Sequence, residues 1–190
     1  PAGTSTSTRC MHTLLSLHPN YREVIVPYIG GEEVNTSPNL APHRWVIAFG
    51  DRSEAECRES YSDLLSIVEA KVRPVRTTHG AAAPDAPWWR FRRSGADLRA
   101  AIAGLDRVLV ISCITTHFAF AFLPTSITYS HKLIAFPSPT WDFFGIMQSN
   151  AHEIWARSFT STNLNIWNYS PSDCFETFPF PEGWEARADL

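Results

Sequence analysis

Three short apolar runs decide the fold class: Arg107-Val-Leu-Val-Ile-Ser-Cys113, His117-Phe-Ala-Phe-Ala-Phe-Leu123 and Tyr129-Ser-His-Lys-Leu-Ile-Ala-Phe136. Each is rich in β-branched or aromatic residues and bounded by turn-forming ones, the pattern of strands. Tight connections between them predict a small antiparallel sheet. Helical patterns lie on both sides of this stretch. The class is therefore α+β: a small antiparallel sheet with flanking helices, followed by a long helix and an aromatic, proline-rich tail.

Upstream, Glu54 to Val72 has the clearest helical periodicity. Tyr61, Leu64, Leu65, Val68 and Val72 form one apolar stripe, Ser53 is placed as N-cap with Glu56 completing a capping box, and Pro74 is expected to end the helix. Asp97 to Gly104 is a short helix closed by glycine. Arg44 to Phe49 is a strand, and residues 19–27 are a short helix or a strand. Tyr28 to Glu33 is a turn, because its paired glycines permit positive φ. Downstream, Ser138-Pro139 offers an N-cap and an N1 proline. A helix then runs to about Phe159 with Trp141, Phe144, Gln148, Ala151 and Trp155 near one face. Tyr169 to Trp184 is expected to lie extended over another surface. A composition shift near Pro137 sets the expected organisation: 1–18 a disordered lead-in or linker, 19–137 one domain, 138–190 the start of a C-terminal helical extension.

The 190 residues are 44% hydrophobic and 13% aromatic, ample for a packed core. The net charge of -3 lacks the overall basic excess that is the simplest footprint of a nucleic-acid binder, so charge distribution has to carry that case. Cys10, Cys57, Cys113 and Cys174 are far apart with no CxxC pair, which predicts reduced thiols and a cytoplasmic location. No run of 18 apolar residues exists, so no membrane span is expected. A chain opening on Pro1 is read as an excised piece of a longer polypeptide.

Catalytic and metal motifs are weak. Asp63, Glu69 and Lys71 have the residue types of a Mg²⁺ nuclease, but all three fall on the best helix, and solvated helix charges are the preferred reading. His152-Glu153-Ile154-Trp155-Ala156 has Ala where a zinc-protease helix needs its second His, so these are read as surface polar residues. No G-x-S-x-G and no P-loop occurs. No catalytic residue and no metal ligand is assigned.

Trp88-Trp89-Arg90-Phe91-Arg92-Arg93 interleaves arginines with aromatics, a pattern suited to phosphates, guanine edges and stacking. Its structural alternative buries the tryptophans and leaves the arginines at the surface; a mixture is expected. Lys71, Arg73, Arg76 and His79 extend the basic run, while acidic residues cluster early (Asp51, Glu54, Glu56, Glu59) and late (Asp173, Glu176, Glu182, Glu185). Thr115-Thr116-His117 and Thr128-Tyr129-Ser130-His131-Lys132 place donors and acceptors at strand ends, useful for base edges or phosphates. Ordinary turn chemistry is the competing reading.

An ordered series of stretches resembles one family. It comprises Val26 to Asn35, His43 to Phe49, Trp88 to Phe91, His117 to Pro124, Ser130 to Leu133, His152 to Arg157, and Ser170 to Pro181 with its Pro-Ser-Asp-Cys-Phe-Glu-Thr-Phe-Pro string. In this order they resemble the C-terminal part of MmeI-like (type IIL or IIG) restriction-modification enzymes over roughly residues 20–184. The resemblance implies a target recognition domain of a bacterial DNA adenine-N6 methyltransferase. Its upstream domains would use S-adenosylmethionine for methylation and Mg²⁺ for cleavage. The methyltransferase tetrapeptide and glycine-rich cofactor motif are absent here, so no cofactor is expected in this chain. The implied partners are double-stranded DNA and the upstream methyltransferase domain, with no membrane. The implied task is to position the duplex while a base is flipped and methylated. By the same resemblance, base contacts fall to Thr115, Thr116, His117, Tyr129, Ser130 and His131. Contacts to the DNA backbone are assigned to Arg90, Arg92, Arg93 and Lys132. The alternative is a non-catalytic protein-interaction module docking through Phe175, Phe178, Phe180 and Trp184 of the tail.

Overall fold

The computed structural model describes residues 8–78, 87–91, 95–163 and 166–184. In chain order the elements are α1 (Thr8–Leu17), a 3-10 turn (Pro19–Glu23), β1 (Ile25–Ile29), α2 (Gly31–Thr36), β2 (Arg44–Ile47), α3 (Glu54–Ser60), α4 (Ser62–Thr78) and α5 (Ala96–Ala101). They continue as β3 (Arg107–Ser112), β4 (Ile114–Thr115), β5 (Ala121–Pro124), β6 (Thr128–Tyr129), β7 (Leu133–Phe136), α6 (Trp141–Met147), α7 (Asn150–Phe159), β8 (Ser161–Asn163), β9 (Ile166–Asn168) and a π-helical turn (Pro171–Phe175). Small antiparallel sheets flanked by helices make this the α+β class expected from the sequence. The chain forms two compact units, one of residues 1–28 and 43–96, the other of 29–42 and 97–190.

In the first unit, β1 and β2 pair antiparallel from Ile25↔Ile47 to Tyr28↔Arg44. The capping box forms as the sequence requires: Ser53 Oγ accepts from the Glu56 amide, and Glu56 accepts from the Ser53 amide. The long helix is nevertheless two helices. It breaks at Tyr61, whose ring is buried beside Phe49 and Tyr21. Pro74 lies inside α4 instead of ending it. The core gathers Met11, Tyr21, Val24, Ile25, Phe49, Cys57, Leu64, Leu65 and Val68, with Trp88 and Trp89 packed against it. Residues 8–17, expected to be an unstructured lead-in, form α1 because burial of Met11 in this core anchors them.

In the second unit, β3 is the middle strand of the sheet β5-β3-β7. It is antiparallel to both neighbours, with Val110 facing Ala121 on one side and Ala135 on the other. Leu109 and Ile111 enter an aromatic core with Phe118, Phe120, Phe136, Phe143, Met147, Trp167 and Tyr169. Val108 and Val110 enter a second core with Ile29, Ile102, Leu123 and Leu133. Alternate side chains of one strand thus fill two cores, which explains why the run is apolar without alternation.

Several expectations are corrected here. The run at 117–123 becomes strand only from Ala121, because a side chain replaces the ladder before it. The Gln148 amide accepts from Phe120 N–H at 2.8 Å and donates to Phe118 O at 2.9 Å. The downstream helix is two helices with separate caps, Thr140 for α6 and Ser149 for α7. Pro137 coincides with no edge of either unit, since α6 and α7 complete the aromatic core of β3. The tail aromatics are not an exposed patch: Phe175, Phe180 and Trp184 pack on that core, and the Phe178 ring lies tilted against His152, their centroids 4.6 Å apart.

His152 departs most from its sequence reading. It is fully buried, not a surface residue. Its Nδ1 lies 2.8 Å from Met147 O, and its Nε2 stands 3.1 Å from the Tyr169 hydroxyl and 3.3 Å from Cys174 O. Rings of Phe118 and Phe120 cover it.

Two outcomes follow from this packing. Leu109→Ala should lower unfolding free energy by about 2–5 kcal/mol in denaturant titrations, as buried leucines do. Burial depresses the His152 pKa below its ordinary 6.5, so the unfolded chain takes up the proton first. This contribution is intact above pH 6.5 and declines as the pH falls below it. A His152→Asn variant, weaker overall, should lose that part of the acid slope when melting midpoints are compared across pH 4–8.

Candidate nucleic-acid interface

The predicted base-contact residues gather where β3 ends and β7 begins. Cys113 N–H donates to Lys132 O at 2.8 Å, tying the segment after β3 to the turn before β7. That turn is closed by two bonds to Ser130, from Leu133 N–H to its carbonyl (2.9 Å) and from Lys132 N–H to its hydroxyl (3.2 Å). Ser130 N–H donates to Ile29 O at 2.8 Å, anchoring the turn to the end of β1.

Helix α2 organises the other loop. Asn35 Nδ2 donates to Ile114 O at 3.1 Å, and its Oδ1 stands 3.0 Å from the Thr115 hydroxyl. The same hydroxyl lies 2.8 Å from His117 O and accepts the His117 amide at 3.1 Å. The helix sits close against β3: a Cβ on Gly31 would fall 2.6 Å from Ser112 Oγ. Close approach, not a turn with positive φ, is what glycine provides there. The Glu33 carboxylate, itself buried, accepts the Gly30 amide at 2.9 Å and fixes the first turn.

The six expected base contacts therefore separate into two kinds. Thr116, His117 and His131 are exposed on the two joined loops, and Lys132 is exposed beside His131. Thr115 and Ser130 are buried with their hydroxyls engaged internally. Tyr129 is half-buried, its hydroxyl donates to Pro124 O, and burial pushes its pKa up to about 12. All three have their hydroxyls engaged within the chain.

Arg90 belongs to the first unit. Its guanidinium donates to the carbonyls of Arg52 (2.9 Å) and Asp51, and its own carbonyl accepts from Arg76. Trp89 Nε1 donates to the same Arg52 carbonyl at 3.0 Å. Arg90 thus clamps the segment before α3 instead of projecting outward as expected. Arg92, Arg93 and His79 lie outside the described residues. Asp63, Glu69 and Lys71 all sit on α4; Asp63 faces Tyr21 and His18, and Glu69 pairs with Arg73 one turn on. Their carboxylates do not converge, which removes the nuclease reading.

Charge distinguishes the second unit's sheet. No Asp or Glu occurs between Asp106 and Asp142, or between Glu153 and Asp173, although the chain has 19 acidic residues. Arg107, His117, His131, Lys132 and Arg157 fall within those gaps. The β5-β3-β7 sheet, both loops and the β8–β9 hairpin are thus free of carboxylates. Sequence reasoning located the late and early acidic clusters but missed this gap, and it missed Asn35 and Gln148 as organisers.

The family model for the MmeI target recognition domain matches residues 6–182. The chain belongs to that family. The match takes in residues of both compact units. A solved structure described as the type IIL restriction-modification enzyme MmeI in complex with DNA shares the fold, with a TM-score of 0.66 over 95% of this chain at 18% identity. This target recognition domain spans 23% of that protein's length. No curated protein matches the chain.

Asn35 supplies both halves of the link between α2 and the 112–117 loop. Asn35→Ala should cost about 0.5–1.5 kcal/mol in denaturant unfolding, the net worth of an intramolecular hydrogen bond. Amide exchange at His117 should accelerate more than exchange in β3, while Asn35→Asp should recover only the Thr115 hydrogen bond.

Proposed function

We propose that this target recognition domain reads duplex DNA for a larger restriction-modification polypeptide, and that the exposed loops at the β3/β7 end carry the reading. The observation that carries this is the carboxylate-free sheet end bearing Thr116, His117, His131 and Lys132, in a chain of this family. Phosphates repel acidic surfaces, so loops that contribute no carboxylate of their own are where a duplex can approach a chain of net charge -3, although the neighbouring α2 carries an exposed Glu32. Threonine hydroxyls and imidazole nitrogens donate or accept at base edges, and the lysine ammonium pairs with phosphate.

The roles divide by exposure. Thr116, His117 and His131 contact bases. Thr115, Tyr129 and Ser130 position them from below. Lys132 contacts the DNA backbone, with Arg92 and Arg93 as further candidates, and Arg90 holds the first unit's framework. Chemistry belongs to polypeptide upstream: an adenine-N6 methyltransferase domain using S-adenosylmethionine, with Mg²⁺ serving cleavage. The recognition domain fixes register while the target base leaves the stack. Such a protein works in the bacterial cytoplasm, and among the described residues no helix is long and apolar enough to cross a membrane.

The test is selection of bound duplexes from a random library by the full polypeptide, followed by salt titration. The triple variant Thr116→Ala, His117→Ala, His131→Ala should relax preference by about 1–3 kcal/mol for each base that is no longer read. Lys132→Ala should weaken all sequences alike and reduce the log–log salt slope by about 0.9. Unchanged sequence selection by the triple variant would show that the bases are read elsewhere.

A further inference from the structure

Strand β4 pairs with β9, and β9 with β8, to make a small sheet beside the reading loops. Register places Ile114 opposite Asn168 and Thr115 opposite Trp167. Side chains alternate along strands, so Thr115 and Trp167 share one face, while Ile114, Ile166 and Asn168 share the other. The first face is fixed inward: both residues are buried, Trp167 lies in the aromatic core, and the Arg157 guanidinium stands 3.9 Å over its ring. The second face is open, with Ile114 50% and Ile166 43% exposed.

These isoleucines are diagonal neighbours across the ladder, close enough to form one apolar spot. No carboxylate occurs anywhere in the three strands or in residues 154–172. The only acidic neighbours in sequence are Glu153, paired with Arg157, and Asp173. Strand β4 runs directly into Thr116 and His117, so its open face adjoins the proposed reading loop along the chain. Its lack of carboxylates suits a polyanion, and the β4–β9 pair is a two-stranded ribbon of the kind the major groove admits.

We propose that Ile114 and Ile166 are specificity-determining residues that contact thymine 5-methyl groups in the major groove, with the outward face of β4-β9-β8 lying along the bases next to those read by the loops. The methyl is the one apolar feature of the major-groove base edges, and a branched aliphatic side chain is its natural contact. This inference rests on the DNA-recognition reading above.

Replacing thymine by deoxyuridine deletes only that methyl. With the full polypeptide and its selected duplex, deoxyuridine at one or two thymine positions should weaken binding about four-fold, the worth of one buried methyl group. In Ile114→Ala or Ile166→Ala, thymine and deoxyuridine should bind alike at the corresponding position, with the salt slope unchanged. Thymine preference that survives both variants overturns the proposal, as does a wild type indifferent to deoxyuridine at every position. Variants that lower the melting midpoint of the full polypeptide while keeping the thymine-to-uridine ratio would mark the face as packing against its other domains, which also overturns it. Complete absence of salt-dependent duplex binding would instead remove the recognition reading itself.

Discussion

The second unit depends on a strand with no solvent face. β3 has Leu109 and Ile111 in one core and Val108 and Val110 in the other, all with no measurable exposure. Burying each such side chain stabilises by roughly 1.5–3 kcal/mol, and a register slip of one residue would exchange every partner at once. The strand's position is therefore strongly determined, and so is the point where it ends. Ser112 and Cys113 emerge from the sheet at a fixed place, and the loops of Thr116, His117, His131 and Lys132 inherit that definition.

Around this strand, polar side chains take over where the backbone ladder stops. Gln148 receives and returns the hydrogen bonds of Phe118 and Phe120, Asn35 does the same for Ile114 and Thr115, and His152 bridges Met147 and Tyr169. Buried polar groups left unpaired are costly, and among the described residues none of the buried side-chain nitrogens or oxygens lacks a partner. Loops held this way are irregular in conformation yet rigid. That combination suits a surface whose side chains have to meet a rigid partner at fixed spacing.

The sequence was most legible where one physical rule acts alone. Apolar runs gave β3, β5 and β7, and the Ser53/Glu56 pair gave the start of α3 by purely local chemistry. It misled where long-range packing decides. Met11 turns a polar lead-in into a helix, the Tyr61 ring interrupts a periodic stripe, and Pro74 is accommodated within α4. His152 lies in a motif that resembles surface chemistry, yet rings from three separate segments enclose it. The candidate residues fall on loops in sequence and structure alike, because strand ends and hydroxyl-rich turns coincide there. Which residues face outward was not legible, since Thr115 and Thr116 are chemically the same and only the position of Asn35, 80 residues away in sequence from Thr115, tells them apart. Arg90 was misread for the same reason: nothing nearby in sequence reveals the carbonyls of Asp51 and Arg52.

The path of the chain has a consequence for anyone recombining recognition domains. The backbone passes between the two units at 28/29, 42/43 and 96/97, so the short excursion 29–42 is lodged in the second unit although both flanking segments belong to the first. A chimera joined at 96/97, the obvious seam, would therefore mate one parent's α2 with the other parent's sheet. The glycine contact at Ser112 and the amide of Asn35 would then come from different ancestors. Exchanging the domain whole, or carrying residues 29–42 along with the sheet, keeps those matched surfaces together.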